Sequence, residues 1–250
     1  MRSMSLDLVP VLLCIFIGAL LYTSVGHGGA TVYTAILTLF GFAIAPLVTL
    51  VLVMNIVAAT IAWVMFGQAG FLRWRLLLPF LVTSVPSAYL GGLLPLTGRA
   101  QAVILGLALL AASIRLLFFA RPPSINLRVD GLPYYAIAAT LGAVLGFLAG
   151  ATGIGGGIFL SPILIALGWA NVKEAGSVAS AFIVLNSLAG LLARLPRTPI
   201  EPHYVAPFVA IVVIGALLGS FMGARRLPFR AVQVSLGLVL LVAAAKNLLA

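Results

Sequence analysis

Two glycine-rich segments, residues 24–31 and 150–157, hold the side chains and backbone groups of this chain best suited to binding a ligand. Each interrupts a long apolar stretch, and a new apolar run begins directly after it. A helix that starts after such a bend exposes unpaired N–H groups and about half a positive charge, which favours anions. Glycine lets a ligand approach the backbone closely. The candidate ligands here are Gly26, His27, Gly28, Gly29 and Thr31, and then Thr152, Gly153, Gly155, Gly156 and Gly157.

Close packing of helices is the other common role of glycine in membrane proteins. A lone glycine would favour that role. Here two clusters occupy equivalent positions of the chain, with Thr31 and Thr152 beside them, and we therefore favour ligand binding.

Asn55 and Asn186 are candidate polar ligands within apolar runs. A buried amide can donate to an anion or join two helices, and the sequence leaves both roles open. Ser180 lies near Asn186 at helical spacing, with Ser177 and Ser187, and could add a hydroxyl donor. Such serines more often bond to the backbone of their own helix.

His27 is the one residue of the charge-free runs that titrates near neutral pH, so it could contact the anion or couple transport to a proton. The second cluster has Ile154 at the matching place, so the two clusters cannot share this role. No acidic residue accompanies His27, and no metal-ligand spacing occurs. We expect no catalytic centre, no metal and no cofactor.

The composition predicts a membrane protein. Of 250 residues, 63% are hydrophobic and 7% are charged, and the mean hydropathy is +1.27. Residues 8–72 and 131–172 contain no charged side chain. Apolar runs of about 18 residues or more indicate helices that cross a hydrocarbon core of about 30 Å. We predict an all-α integral membrane protein, a polytopic helical bundle.

The charges narrow the class of partner. The net charge is +10, but the basic residues stand at the ends of the apolar segments, where they set topology and contact lipid headgroups. No basic block stands apart from the membrane, which excludes nucleic acid. Carboxylates inside membrane segments usually mark cation pathways. The chain has four acidic residues, and none of them lies inside an apolar run: Asp7, Asp130, Glu174 and Glu201. The transported substrate is therefore expected to be an anion or a neutral solute.

The chain also shows an internal repeat. The glycine clusters match at an offset of 127, and the dipeptides at 79–80 and 207–208 match at 128. Asn55 and Asn186 match at 131. Small changes of offset are what short insertions between helices produce. We predict one transport domain, 1–250, made of repeat one (8–120), a linker (121–130) and repeat two (131–250).

Each half is predicted to contain a glycine-broken stretch and three ordinary spans. The first stretch, 8–41, would measure about 51 Å as one helix, longer than the membrane core, and must break. If its pieces form a hairpin, the two repeats are inverted; if they form one tilted span, the repeats are parallel. The length favours inversion. The predicted segments are 8–41, 45–66, 76–94 and 99–119, then 134–168, 175–195, 204–222 and 230–249.

The glycine clusters resemble those of the TauE/SafE family of sulfite exporters, also called the toluene sulfonate uptake permease family. The resemblance is carried by residues 26–29 and by residues 153–162, Gly-Ile-Gly-Gly-Gly-Ile-Phe-Leu-Ser-Pro. Residues 175–180, which lead to Asn186 and Ser187, add to it. The resemblance implies export, or sometimes uptake, of sulfite, sulfonates such as sulfoacetate, or related organic anions.

Together these observations predict a secondary transporter that exports a small anion across the bacterial inner membrane by alternating access. The partners we expect are the anion and the lipid bilayer, and homo-oligomerisation is left open. An anion channel is the first alternative. A membrane scaffold or assembly factor without transport is the second.

Overall fold

The computed structural model describes residues 8–40, 44–94, 130–196 and 202–249, with isolated positions between 103 and 118. These residues form helices and no strand. The helices are α1 (Leu8–Ser24), α2 (Ala30–Leu39), α3 (Ile44–Gln68), α4 (Trp74–Leu93), α5 (Gly131–Thr152), α6 (Gly157–Ala166), α7 (Val172–Arg194), α8 (Pro202–Phe221), a π-helical segment (Met222–Arg226) and α9 (Phe229–Leu249). Most of the predicted span 99–119 and the linker lie outside the described residues.

Several helices in the described ranges are apolar, and they differ in length. Five helices are long and apolar enough to cross a membrane: Val48–Gln68, Trp74–Leu93, Gly131–Thr152, Val172–Arg194 and Val205–Arg226. Leu8–Ser24 and Gly157–Ala166 are apolar but shorter, with 17 and 10 residues. At about 1.5 Å per residue neither crosses a core of about 30 Å. The prediction of an all-α, polytopic membrane protein is confirmed.

Both glycine-broken stretches end one helix and begin another at the predicted places. α1 ends at Ser24 and α5 at Thr152, where Gly153 adopts a left-handed conformation. α2 then folds back along α1, so that Gly18 packs against Val32. α6 likewise turns back along α5. The ring of Trp169, just beyond α6, lies 5.1 Å from that of Tyr134 near the start of α5. Each stretch is therefore a hairpin and not one tilted span.

Glycines allow two pairs of parallel helices to pack in direct contact. Along α5, Gly142 and Gly146 lie against the backbone of α4 at Phe80 and Ser84, one turn after another. Along α8, glycines lie against α1 in the same manner: Gly215 contacts the backbone of Phe16, and Gly219 that of Leu20. The first helix of each predicted half thus packs against the second ordinary span of the other half.

The contacts at the helix ends fix the directions of the helices. Arg73, just before α4, pairs with Glu174 near the start of α7, and the ends of these helices meet where Gly92 contacts Gly190. α4, α5 and α7 therefore run in the same direction. α8 ends beside the start of α7, where Lys173 Nζ donates to the Ala224 carbonyl. Since α1 is parallel to α8, α1 and α5 approach the interior from opposite directions. The division into two repeats stays a prediction.

Candidate functional site

The candidate site consists of the two glycine breaks, which we call break one (residues 25–29) and break two (residues 153–156). Glycine is required here by backbone conformation. In break one, Gly26 and Gly29 have φ of +80° and +104°. In break two, Gly155 and Gly156 have φ of +81° and +73°. L-residues with a side chain rarely adopt this left-handed region, so each bend depends on glycine.

Asn55 of α3 joins the two breaks. Its Oδ1 accepts a hydrogen bond from the N–H of Ala30, the first residue of α2, at 3.0 Å. Its Nδ2 donates to Ser187 Oγ of α7 at 2.9 Å. The backbone of Gly28 lies against the Asn55 side chain on one side. A Cβ atom at Gly155 would lie 2.6 Å from Nδ2 on the other. The fold therefore brings three predicted site residues, one from each break and Asn55, into contact.

The breaks also contain four peptide N–H groups for which the described part of the chain shows no hydrogen-bond partner. Gly28 and Gly29 in break one are buried, as are Gly155 and Gly156 in break two. Within the described ranges their N–H groups donate no hydrogen bond. Buried N–H groups without a partner are rare in native proteins, since leaving one unpaired costs about as much as a lost hydrogen bond. These four groups need an acceptor such as water or a bound anion.

His27 connects break one to α6. Its ring is 1% exposed, with Nδ1 3.2 Å from the Val25 carbonyl and Nε2 3.2 Å from Ser161 Oγ. Ser161 also donates to the carbonyl of Gly157, the first residue of α6, at 3.2 Å. The side chain is thus inside the site, and its role in coupling stays a prediction.

The remaining glycines of the predicted set support close contacts around the breaks. Gly26 packs on the backbone of Gly176 in α7. Gly153 lies against Val48 of α3, and Gly157 against Ile183 of α7.

The predicted threonines lie at the two helix ends that adjoin the breaks. Thr31 is buried in the first turn of α2. Thr152 donates to the Leu148 carbonyl at 2.6 Å, and its Oγ1 accepts from the N–H of Ile154 at 3.4 Å. Thr152 therefore helps to end α5 at break two.

Asn186 and Ser180 bond within their own helix. Asn186 Nδ2 donates to the Phe182 carbonyl at 2.8 Å, and its buried Oδ1 has no partner among the described residues. Ser180 Oγ donates to the Ser177 carbonyl at 2.8 Å. Neither side chain hydrogen-bonds to a break, unlike Asn55. Contact of these two residues with a substrate stays a prediction.

Arg194 is a site neighbour that the sequence pattern assigned to the headgroup region. Its guanidinium turns inward and donates to the carbonyls of Gly150 and Ala151, both at 2.8 Å. These carbonyls belong to the last turn of α5, directly before break two. A basic group at a helix C-terminus stabilises its unpaired carbonyls. Only the packing of α7 on α5 reveals this contact.

Known proteins identify the family of the chain. The model of the sulfite exporter TauE/SafE family matches residues 11–247. The chain belongs to this family. TauE/SafE membership agrees with the resemblance carried by the glycine clusters and indicates a multi-pass membrane transporter.

Two relatives agree with TauE/SafE membership. One, from Sinorhizobium fredii, is named a probable membrane transporter protein; it is 28% identical over 98% of this chain and 100% of its own length. The other, from Methanocaldococcus jannaschii, carries the same description. It is 28% identical over 82% of this chain and 79% of its own length. No solved structure matches the chain significantly.

Proposed function

We propose that this TauE/SafE protein is a secondary carrier that exports a small anion across the bacterial inner membrane. The substrate would be sulfite, a sulfonate such as sulfoacetate, or a related organic anion. The observation that carries the proposal is the meeting of the two breaks at Asn55, close to four buried peptide N–H groups that have no hydrogen-bond partner among the described residues. Neutral donors of this kind stabilise an anion without a cationic side chain or a metal.

The surroundings of the breaks support an anion in preference to a cation. In the described part of the chain, Glu174 and Asp130 are the acidic residues, and both stand at helix starts and not at the breaks. The cation Arg194 lies next to break two, where its guanidinium donates to the last carbonyls of α5. An anion at the breaks would meet hydrogen-bond donors and no carboxylate.

Helix directions support alternating access. α1 and α5 approach the breaks from opposite directions, and each packs against the second ordinary span of the other predicted half. In inverted-repeat carriers, one part of each half rocks against the rest around a central site. We propose the same movement here, with the hairpins α1–α2 and α5–α6 moving relative to α3 and α7.

The proposal is tested by counterflow of radiolabelled sulfite in liposomes that contain the purified protein. Competition with sulfoacetate, taurine and lactate would rank the substrates. We expect transient accumulation of label that an excess of at least one anion suppresses. Flux that does not saturate and shows no counterflow would favour a channel. No flux of any of these anions would refute the proposed substrate class.

A further inference from the structure

We infer that Ser187 is a substrate-binding residue whose hydroxyl donates to the anion, and that Asn55 is the positioning residue that orients this hydroxyl. The inference rests on the proposed function and assigns a donor within the same site. It begins from one hydrogen bond that crosses from α3 to α7, between residues 132 positions apart.

The orientation of the Asn55 amide is fixed by the start of α2. The Ala30 N–H can only donate, so the group of Asn55 that faces it at 3.0 Å must be the carbonyl oxygen. The NH2 group of Asn55 then faces Ser187 Oγ at 2.9 Å. Because an amide NH2 can only donate, the serine oxygen accepts this bond.

The hydroxyl proton of Ser187 is consequently directed away from Asn55. Ser187 is 1% exposed, and within the described residues its hydroxyl donates to no protein acceptor. Serines in membrane helices usually donate to the carbonyl of the preceding turn. Ser180 in the same helix does so, whereas Ser187 does not. A buried hydroxyl whose oxygen is already held and whose proton has no acceptor is prepared to donate to a ligand.

The position of Ser187 assigns this ligand to break two. A Cβ atom at Gly155 would lie 2.7 Å from Ser187 Oγ. Gly155 and its neighbour Gly156 carry two of the N–H groups that have no partner in the described ranges. The hydroxyl and these peptide groups belong to one small region, and all of them are neutral donors. This set matches the oxygens of a sulfite or sulfonate group, which accept hydrogen bonds and donate few.

The test compares Ser187→Ala with Ser113→Ala in sulfite counterflow across liposomes. Both serines are fully buried, and both variants lose one hydroxyl, but the Ser113 hydroxyl donates to the Gly237 carbonyl of α9 and lies outside the candidate site. We expect Ser187→Ala to raise the KM for sulfite about tenfold, the loss expected for a hydrogen bond to a charged ligand. Ser113→Ala should stay within about twofold of the wild type. Ser187→Cys, a weaker donor of similar shape, should fall between them.

A double-mutant cycle separates binding from positioning. If Asn55 acts through Ser187, adding Asn55→Ala to Ser187→Ala should raise KM much less than Asn55→Ala does in the wild type. Additive effects would show that Asn55 contacts the anion independently and would overturn its positioning role. If Ser187→Ala has the same KM as the wild type, and the wild type shows counterflow, the assignment of Ser187 is overturned while the proposed function stands. Absence of counterflow in the wild type would overturn the proposed function as well.

Discussion

Replacing Gly155 by alanine should uncouple break two from Asn55, and a second glycine of the same chain provides the control. Gly155 and Gly70 have nearly identical backbone conformations, with φ of +81° and +82°. An added Cβ atom at Gly70, in the loop before α4, would meet nothing within 4 Å. At Gly155 it would lie 2.6 Å from Asn55 Nδ2 and 2.7 Å from Ser187 Oγ.

The magnitudes follow from this difference. Both variants force a residue with a side chain into the left-handed region, which destabilises the protein by about 1–2 kcal/mol. Gly70→Ala should cause that loss alone. Gly155→Ala must in addition displace the Asn55 amide from Ser187, a hydrogen bond worth about 1 kcal/mol. It also disturbs the bond from Asn55 to the start of α2, a cap worth about another 1 kcal/mol.

The assay combines thermal unfolding in detergent with anion counterflow in liposomes. We expect Gly70→Ala to transport like the wild type despite its lower stability. Gly155→Ala should be destabilised by about 2 kcal/mol more and lose at least tenfold in counterflow, while still inserting into the membrane. Replacing Gly155 or Gly156 by the larger leucine should abolish transport. Equal transport by Gly155→Ala and Gly70→Ala would refute the assignment of break two to the substrate site.

Three further predictions concern stability, each measured as the free energy of unfolding in detergent. Gly67→Ala in α3 should raise this free energy by up to about 1 kcal/mol, because Gly67 is helical and an added Cβ would make only ordinary van der Waals contact with Leu72, 3.9 Å away. Gly146→Ala should lower it by about 1–3 kcal/mol by forcing α5 off α4, and equal effects of the two variants would contradict the described packing. Asn171→Ala should lower the free energy of unfolding by about 1 kcal/mol through loss of the α7 capping box, and Glu174→Gln, which keeps an acceptor there, should lower it less. A larger loss in Glu174→Gln than in Asn171→Ala would refute the role of the cap. Arg194→Gln should lower the free energy of unfolding by about 1–2 kcal/mol and Arg194→Lys by less, because lysine keeps the charge but cannot reproduce both hydrogen bonds to the carbonyls of α5. An unchanged free energy in both variants would show that the contact adds no stability.

Several features of the site could be predicted from the residues because their causes are local in the chain. The apolar stretches are too long for one membrane span, and glycine clusters interrupt them, so the positions of both breaks followed from length and residue type. An amide inside an apolar run predicted Asn55 and Asn186 alike as candidate ligands. The sequence provides no reason to distinguish these two residues. Asn55 bonds to α2 and α7, whereas Asn186 bonds to its own helix.

Ser187 and Arg194 mark the limit of such reasoning. Three serines of α7 share helical spacing around Asn186, and nothing in that spacing distinguishes Ser187 from Ser180. The distinction arises only because α3 lies beside α7 and directs the Asn55 amide at one of them. Arg194 stands at the end of an apolar segment, where a long basic side chain usually extends to the headgroups. Its inward direction depends on the last turn of α5 being within reach.

The sequence by itself determined that the chain is a helical membrane protein and at which residues its two hairpins bend. It also determined that the candidate site consists of glycine and amide groups in place of charged groups. These properties depend on hydrophobicity, segment length and backbone freedom, which act over a few turns of helix. Tertiary structure alone decided which of the equivalent polar residues meet at the breaks and from which directions α1 and α5 arrive. Those properties depend on contacts between different helices, such as that of Asn55 with Ser187, 132 positions apart, and such contacts exist only after the helices have packed.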